Sequence, residues 1–396
     1  MDTRAHERRR PALHGVVTRS RRPAPPAAAV RHRPATFVML ALVATALLAG
    51  IAGGLLRLGI VLPAVASSDW LGRAGLHHAA LMVCAFMGTV IAIERAVAVK
   101  RAAAWSAPLL SGAAGIALLL GRDGLGSWLL VGAAAVFVAV HLLVVRRQRE
   151  PHTLLLLASA LAWLAGNLLF AAGAAGTAVL PWWFGFLAIT IAAERLEMTR
   201  LMRRRPAAQP ALHAVLALLA AGAATSALWP VAGGVLYGAA LLALALWLLV
   251  FDIARRTVRA QALPRYMAVC LLGGYLWLAI AGVAWAATAF GVPARDLALH
   301  ALGLGFIVSM MMGHAPVILP AVARVKLRYG AFFYLPLAAL HASLVVRFVP
   351  GWADLPWRAA GGLSNALAIA LFAATIAGAA LAWRSKHGAP QGADRT

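Results

Sequence analysis

The chain has 396 residues, of which 63% are hydrophobic and only 12% charged, with a formal net charge of +24. A soluble chain cannot hide that much apolar surface, so a lipid bilayer is the expected solvent and an all-α bundle the expected fold. Two cysteines, Cys84 and Cys270, stand in apolar runs with no C-x-x-C pair. They therefore imply neither a disulfide framework nor a zinc site and read as small core residues.

Residues 1–33 are rich in Arg, Pro and Ala, with Arg8-Arg9-Arg10 and Arg19, Arg21 and Arg22. They lack periodic apolar positions and read as a disordered basic tail before the first span, suited to anionic lipid. Arg9-Arg10 resembles half of a twin-arginine signal, but no cleavage-site pattern follows. Residues 34–384 read as a single domain of twelve spans, and residues 385–396 as a second tail.

The spans are read near 36–57, 74–93, 103–120, 125–145, 153–173, 180–193, 211–228, 231–250, 266–290, 297–322, 331–348 and 360–383. These lengths suit a hydrocarbon core of roughly 30 Å. Thirty Lys and Arg fall in the two tails and every second loop, against six elsewhere: Arg57, Arg73, Arg122, Arg295, Arg347 and Arg358. That asymmetry predicts a multi-pass protein of a bacterial-type inner membrane with both termini in the cytoplasm. It also explains the basicity as topology, so no nucleic-acid partner is expected.

An internal repeat runs through the spans. The second ends Glu94-Arg95 and the sixth Glu194-Arg195, an offset shared by Phe86 and Phe186. The fifth and ninth share Trp-Leu-Ala, at 163–165 and 277–279. A four-span unit used three times makes the second, sixth and tenth spans equivalent and parallel. Their outer ends read Leu76-His77-His78, Pro181-Trp182-Trp183 and Leu299-His300-Ala301.

His77, His78 and His300 thus share one depth, about 5 Å inside the outer interface at about 1.5 Å per residue. Neutral imidazoles facing one another at one depth are suited to clamping a haem iron. A placement at the interface is the competing account, since histidines are cheap there. Neighbouring residues point about 100° apart, so only one of His77 and His78 faces the interior, and the residue pattern leaves the choice open. Deeper lie His314 and His341, expected at one depth on neighbouring antiparallel helices. They read either as a hydrogen-bonded structural pair or as ligands of a second haem or copper.

His141, His152 and His213 read as interfacial, and His6, His14, His32 and His387 belong to polar tails. Met310-Met311-Met312 reads as packing rather than soft metal ligation, because consecutive side chains point in different directions. Glu94 and Glu194 read as ion-paired or snorkelled groups at the inner interface, with proton entry conditional on water reaching them.

Twelve spans, three four-helix units and histidines near the outer ends of the second and tenth resemble the catalytic subunit of haem–copper oxidases and nitric oxide reductases. The Leu299-His300-Ala301-Leu302 start and the Ala-rich bundle resemble NnrS, the membrane haem protein linked to nitric oxide stress. The resemblance implies that His77 or His78, together with His300, holds a haem b. It also implies electron relay, or the binding of a diatomic gas such as nitric oxide, with a redox partner. The departures are specific. The oxidase copper site needs a histidine in the sixth span and a pair in the seventh. Here the sixth carries Trp182-Trp183, and the seventh carries only His213, at its wrong end. A dinuclear oxygen- or nitric-oxide-reducing centre is therefore not expected, and neither is enzymatic turnover. The alternative is a multi-pass transporter with a mid-membrane histidine site.

Overall fold

A computed structural model describes residues 33–60, 68–199 and 205–387. The basic tail, with Arg8-Arg9-Arg10 and the first three histidines, lies outside the described residues, as do the last nine residues of the C-terminal tail. Residues 1–38 form one unit, of which only the first turns of a helix are described. Residues 39–396 form the other.

Among the described residues there is no strand, and twelve helices are long and apolar enough to cross a membrane. The chain is an all-α, multi-pass membrane protein. The spans run Phe37–Arg57, Ala80–Val99, Ala102–Leu119, Asp123–Arg147, Pro151–Ala171, Gly176–Met198, Ala208–Leu228, Pro230–Phe251, Ala262–Ala289, Arg295–Val322, Ala331–Phe348 and Leu355–Ser385. Backbone hydrogen bonding across the membrane is met chiefly inside each helix, which is why helices can span it.

Local chemistry sets the boundaries. The fifth span opens on Glu150-Pro151-His152-Thr153. Glu150 and Thr153 form a reciprocal capping box, and Pro151 takes the first helical turn, where its missing N–H costs nothing. The third and fifth spans stop at Gly121 and Gly173, both at φ +72°, a left-handed conformation that glycine adopts without penalty. Gly121 and Arg122 donate back to the carbonyls of Leu118 and Ala117, closing the helix end.

Sequential spans pack as antiparallel neighbours, the fifth on the sixth and the seventh on the eighth. The second, sixth and tenth spans touch one another. The sixth is the most enclosed, with 78% of its most apolar stretch buried, whereas the twelfth has 22% and presents most of its surface outward. Leu363, Leu367, Leu371 and Leu381 are exposed along that outer helix, as a hydrocarbon solvent permits.

The three central spans are not alike. The second widens into a π-helix over Ala80–Gly88 and the tenth over Ala301–Val308, each starting within two residues of a histidine. The sixth stays α-helical through Gly176–Thr199 even with Pro181 inside it. Two of the equivalent helices therefore share a local distortion that the third lacks. Such π segments gather where a side chain must be re-aimed.

Candidate functional site: two histidines across an apolar cavity

The structure separates the adjacent histidines. His77 caps the short helix Asp69–Leu76 and turns to the fourth span, where its Nε2 lies 3.1 Å from Asp123 Oδ1. His78 turns the other way, toward the tenth span. Its ring and that of His300 have centroids 6.2 Å apart and planes 24° from parallel. The π segment beginning at Ala80 follows at once, and Gly54 on the first span makes room for the ring. A Cβ at that glycine would stand 2.8 Å from His78 Cε1.

Both rings are oriented through Nδ1. His78 Nδ1–H donates to the Gly50 carbonyl at 2.7 Å, a group one turn earlier than Gly54 on the same helix. His300 Nδ1–H donates to Asp296, reaching the carboxylate Oδ1 at 2.9 Å and the carbonyl at 3.0 Å. Both assignments leave Nε2 as the lone-pair nitrogen, and that of His300 has Arg347 Nη2 as a donor 3.5 Å away. This is the arrangement in which a carboxylate or carbonyl fixes the tautomer of a ligating histidine.

Asp296 is itself held. Arg347 donates to both of its oxygens, Nη2 to Oδ1 at 2.7 Å and Nε to Oδ2 at 3.0 Å, and a third donor, Nη1, reaches Asn365 Oδ1 at 3.2 Å. Asn365 in turn donates to Ser343 Oγ at 2.6 Å. Three spans, the tenth, eleventh and twelfth, thus converge on the orientation of one imidazole. Arg347 is 5% exposed, so the ion pair is desolvated, with every donor aimed. Composition counted Arg347 as a loop charge. The structure instead turns its side chain into the bundle, because Asp296 lies there.

His78 and His300 line a cavity of about 370 Å³. Its walls are apolar, built from Met82, Phe86, Phe184, Leu187, Leu304 and Ile307, while Arg57, Arg347 and Arg358 line its polar side. Ligand cavities typically have this composition and size, mostly hydrophobic with a few fixed polar groups. Metal–imidazole bonds of about 2 Å, plus about 1 Å from nitrogen to ring centre, put two coaxial imidazoles about 6 Å apart. The observed 6.2 Å matches that spacing. Among the described residues, no three or more His, Cys, Asp or Glu side chains are grouped to hold a bare metal ion.

The deeper histidines are not brought together. His314 Nδ1 bonds the Met310 carbonyl at 2.6 Å, and Nε2 meets Arg195 Nη2 at 2.9 Å, so both ring nitrogens are taken. His341 accepts from Trp277 Nε1–H at 2.7 Å through Nδ1, with the two rings nearly coplanar and edge to edge. Matching depth therefore did not make a shared site. The eleventh span packs chiefly on the twelfth, so its histidine finds a partner on the ninth instead.

The remaining candidates settle into packing roles. Trp183 donates to Asn167 Oδ1 at 2.8 Å, and Asn167 passes the bond on to the Leu130 carbonyl. Trp163 stacks on Phe186 at 4.9 Å, and its Nε1–H points at Cys84 Sγ. Met310 and Met312 are buried among apolar neighbours. His213 is exposed, as an interfacial residue should be, but His141 is 1% exposed and bonds the Phe137 carbonyl through Nδ1 at 2.9 Å. Its ring faces inward against Phe137 rather than outward. His152 is likewise buried, with Glu197 Oε1 3.8 Å away.

At the other end of the bundle the two Glu-Arg pairs cross over. Arg95 donates to Glu194 at 2.7 Å, while Arg195 leaves its own glutamate and bonds His314. Asp252, in the connection after the eighth span, is buried beside Arg195. Burial raises its carboxyl above the ordinary range, and the guanidinium only partly opposes this.

Asp296 and Arg347 are the functional residues that sequence reading missed. Asp296 precedes His300 by four positions, the spacing that places two side chains on one helix face, and that signal was available. Nothing in the pattern pointed to Arg347.

A family model described as a domain of unknown function, DUF8744, matches residues 36–381. The chain belongs to that family. No curated protein and no solved structure matches it.

Proposed function

We propose that this DUF8744 member is a membrane haem protein that holds haem b between His78 and His300 and serves in electron relay. The observation that carries the reading is the facing pair of imidazoles, 6.2 Å apart, each locked through Nδ1 and each lining one apolar cavity. The apolar walls suit a flat macrocycle, and Arg57, Arg347 and Arg358 would meet its carboxylates. When bound, haem supplies one-electron chemistry at iron, with a potential set by its axial ligands and their hydrogen bonds. With both His78 and His300 as its ligands, the group would favour relay over gas binding. A role in the response to nitric oxide rests on the resemblance to NnrS alone.

The protein's own contribution is orientation and exclusion of water. Asp296 accepts from His300 and fixes the orientation of its ring, while Arg347 holds that carboxylate in place. The Gly50 carbonyl does the same for His78 more weakly, being uncharged. The positive-inside asymmetry supports a plasma-membrane location with both termini cytoplasmic, which puts this site near the outer face.

The test is an absorption spectrum of protein purified after haem-replete expression, oxidised and then reduced. We expect a low-spin b-type spectrum that is lost in His78→Ala and in His300→Ala and kept in His77→Ala. A wild-type protein without a Soret band, or a His300→Ala protein with an unchanged one, rejects the proposal.

A further inference from the structure

Beside the cavity of His78 and His300 lies a second one, of about 200 Å³, set among the sixth to tenth spans. Leu180 and Leu299 line both, so the wall between the two cavities is one side chain thick. Leu299 is the residue before His300. Phe184, on the histidine side of that wall, meets Trp285, on the other, edge to face with centroids 6.1 Å apart.

Size and walls restrict what the second cavity can take. An apolar cavity of about 150 Å³ holds one benzene ring, so this one suits a single ring with small substituents. Trp285 supplies an aromatic wall and is itself packed on Tyr237, with centroids 4.8 Å apart. Pro230 and Val231 stand exposed at the edge, where an apolar tail can leave for the bilayer.

The polar groups restrict it further. Arg295 lines the cavity with its guanidinium over the start of the sixth span, since a Cβ on Gly176 would stand 3.2 Å from Nη2. The three arginines of the histidine cavity each donate to a carbonyl or carboxylate oxygen. Arg295 donates to none among the described residues, which leaves its N–H groups for a ligand oxygen. Two hydroxyls face the cavity from the seventh and ninth spans. Ser226 donates to the Gly222 carbonyl at 2.7 Å and Thr288 to the Ala284 carbonyl at 2.8 Å. Their protons are spent, and their lone pairs can accept. No acidic residue lines the cavity.

The cavity therefore offers donors from the tenth span, acceptors from the seventh and ninth, and room for one ring between them. A lipid phosphate would meet Arg295, but its acyl chain would bring nothing for the two hydroxyls to bond. A quinone headgroup meets every condition. It is a single ring with oxygens on opposite sides, carbonyls when oxidised and hydroxyls when reduced, and it carries an apolar tail.

We propose that this cavity binds the headgroup of a membrane quinone, with one oxygen on Arg295 and the other facing Ser226 and Thr288. Its service to the neighbouring histidine site rests on the haem reading, whereas the binding itself does not.

The test is photolabelling of the full-length protein in lipid nanodiscs with an azido-benzoquinone, competed by decylubiquinone and read by peptide mapping. Label is expected on the segments that carry Trp285 and Leu299, and decylubiquinone should remove it. Arg295→Gln should weaken that competition about 10–100-fold, the loss of a charge-assisted hydrogen bond. Arg295 is exposed, so the fold does not depend on it, and Arg122→Gln, an exposed arginine outside the cavity, should change nothing. Label scattered over the lipid-facing helices overturns the proposal, as does unchanged competition in Arg295→Gln. Label displaced by phosphatidylglycerol and not by decylubiquinone assigns the cavity to a lipid and overturns it too. The His300→Ala protein should label like wild type. Specific labelling of a wild-type protein without a Soret band upholds the quinone site and rejects the haem reading. A Soret band without specific labelling does the reverse.

Discussion

The two ends of this bundle treat buried polar groups in opposite ways. Around His300 every polar contact is direct. Arg347 spends Nε and Nη2 on Asp296 and Nη1 on Asn365, and Asp296 fixes Nδ1 of the histidine. Around Arg195 the contacts are incomplete: the guanidinium bonds His314 through Nη2, and its Nε has no partner among the described residues. A closed network freezes its members in one geometry, which is what a ligating ring needs. The same residue types, arginine, aspartate and histidine, form a closed network at one end and an open one at the other.

Asp296→Ala is the sharpest way to break the closed end. It leaves Arg347 as an uncompensated buried charge, and we expect about 3–5 kcal/mol of lost stability. The same change should weaken haem retention about 10–100-fold, as losing the hydrogen-bond partner of a ligating histidine does. Thermal melting and haem titration of one preparation read the two effects separately. A stable Asp296→Ala protein would mean that the pair is not desolvated.

Gly54→Ala tests whether the cavity wall is fitted to the ring. The added methyl would press on His78 Cε1 at 2.8 Å, so the ring or the first helix must shift. Overpacking of this kind costs about 1–3 kcal/mol. The reduced spectrum should broaden or fall in intensity, and an unaltered spectrum and melting temperature would show that the ring is free to move.

Trp277→Phe removes the donor to His341 while keeping an aromatic ring beside it. A cost of about 1 kcal/mol in melting is expected, with no spectral change. Spectral loss would instead tie His341 to the haem.

His77→Ala should do least. Its partner Asp123 has a side chain 55% exposed, so the pair is worth about 0–1 kcal/mol, and the spectrum should match wild type. A lost Soret band here would exchange the roles of the two adjacent histidines.

Much of the fold was legible from residue types. The twelve spans fall close to their expected bounds, because length and hydropathy answer directly to bilayer thickness. The second span is the instructive exception. Its predicted start near residue 74 merges two helices, and the break between them at His77 is what turns the two imidazoles apart. The candidate site was legible in depth but not in direction. Counting residues placed His78 and His300 at one level, and they meet. The same counting placed His314 and His341 at one level, and they do not, because neighbouring spans in sequence need not present the facing stripe to each other.

The sequence by itself determined the solvent, the number of crossings and which polar residues are expensive, since each follows from the cost of exposing a group to hydrocarbon. Only the tertiary structure decided who pairs with whom. It turned His78 toward His300 and His77 toward Asp123, turned Arg347 inward from an apparent loop, and sent Arg95 and Arg195 to different partners. Partner choice depends on rotation about each helix axis, and in a chain apolar on nearly all faces that rotation is set by packing against neighbours rather than by any stripe the sequence displays.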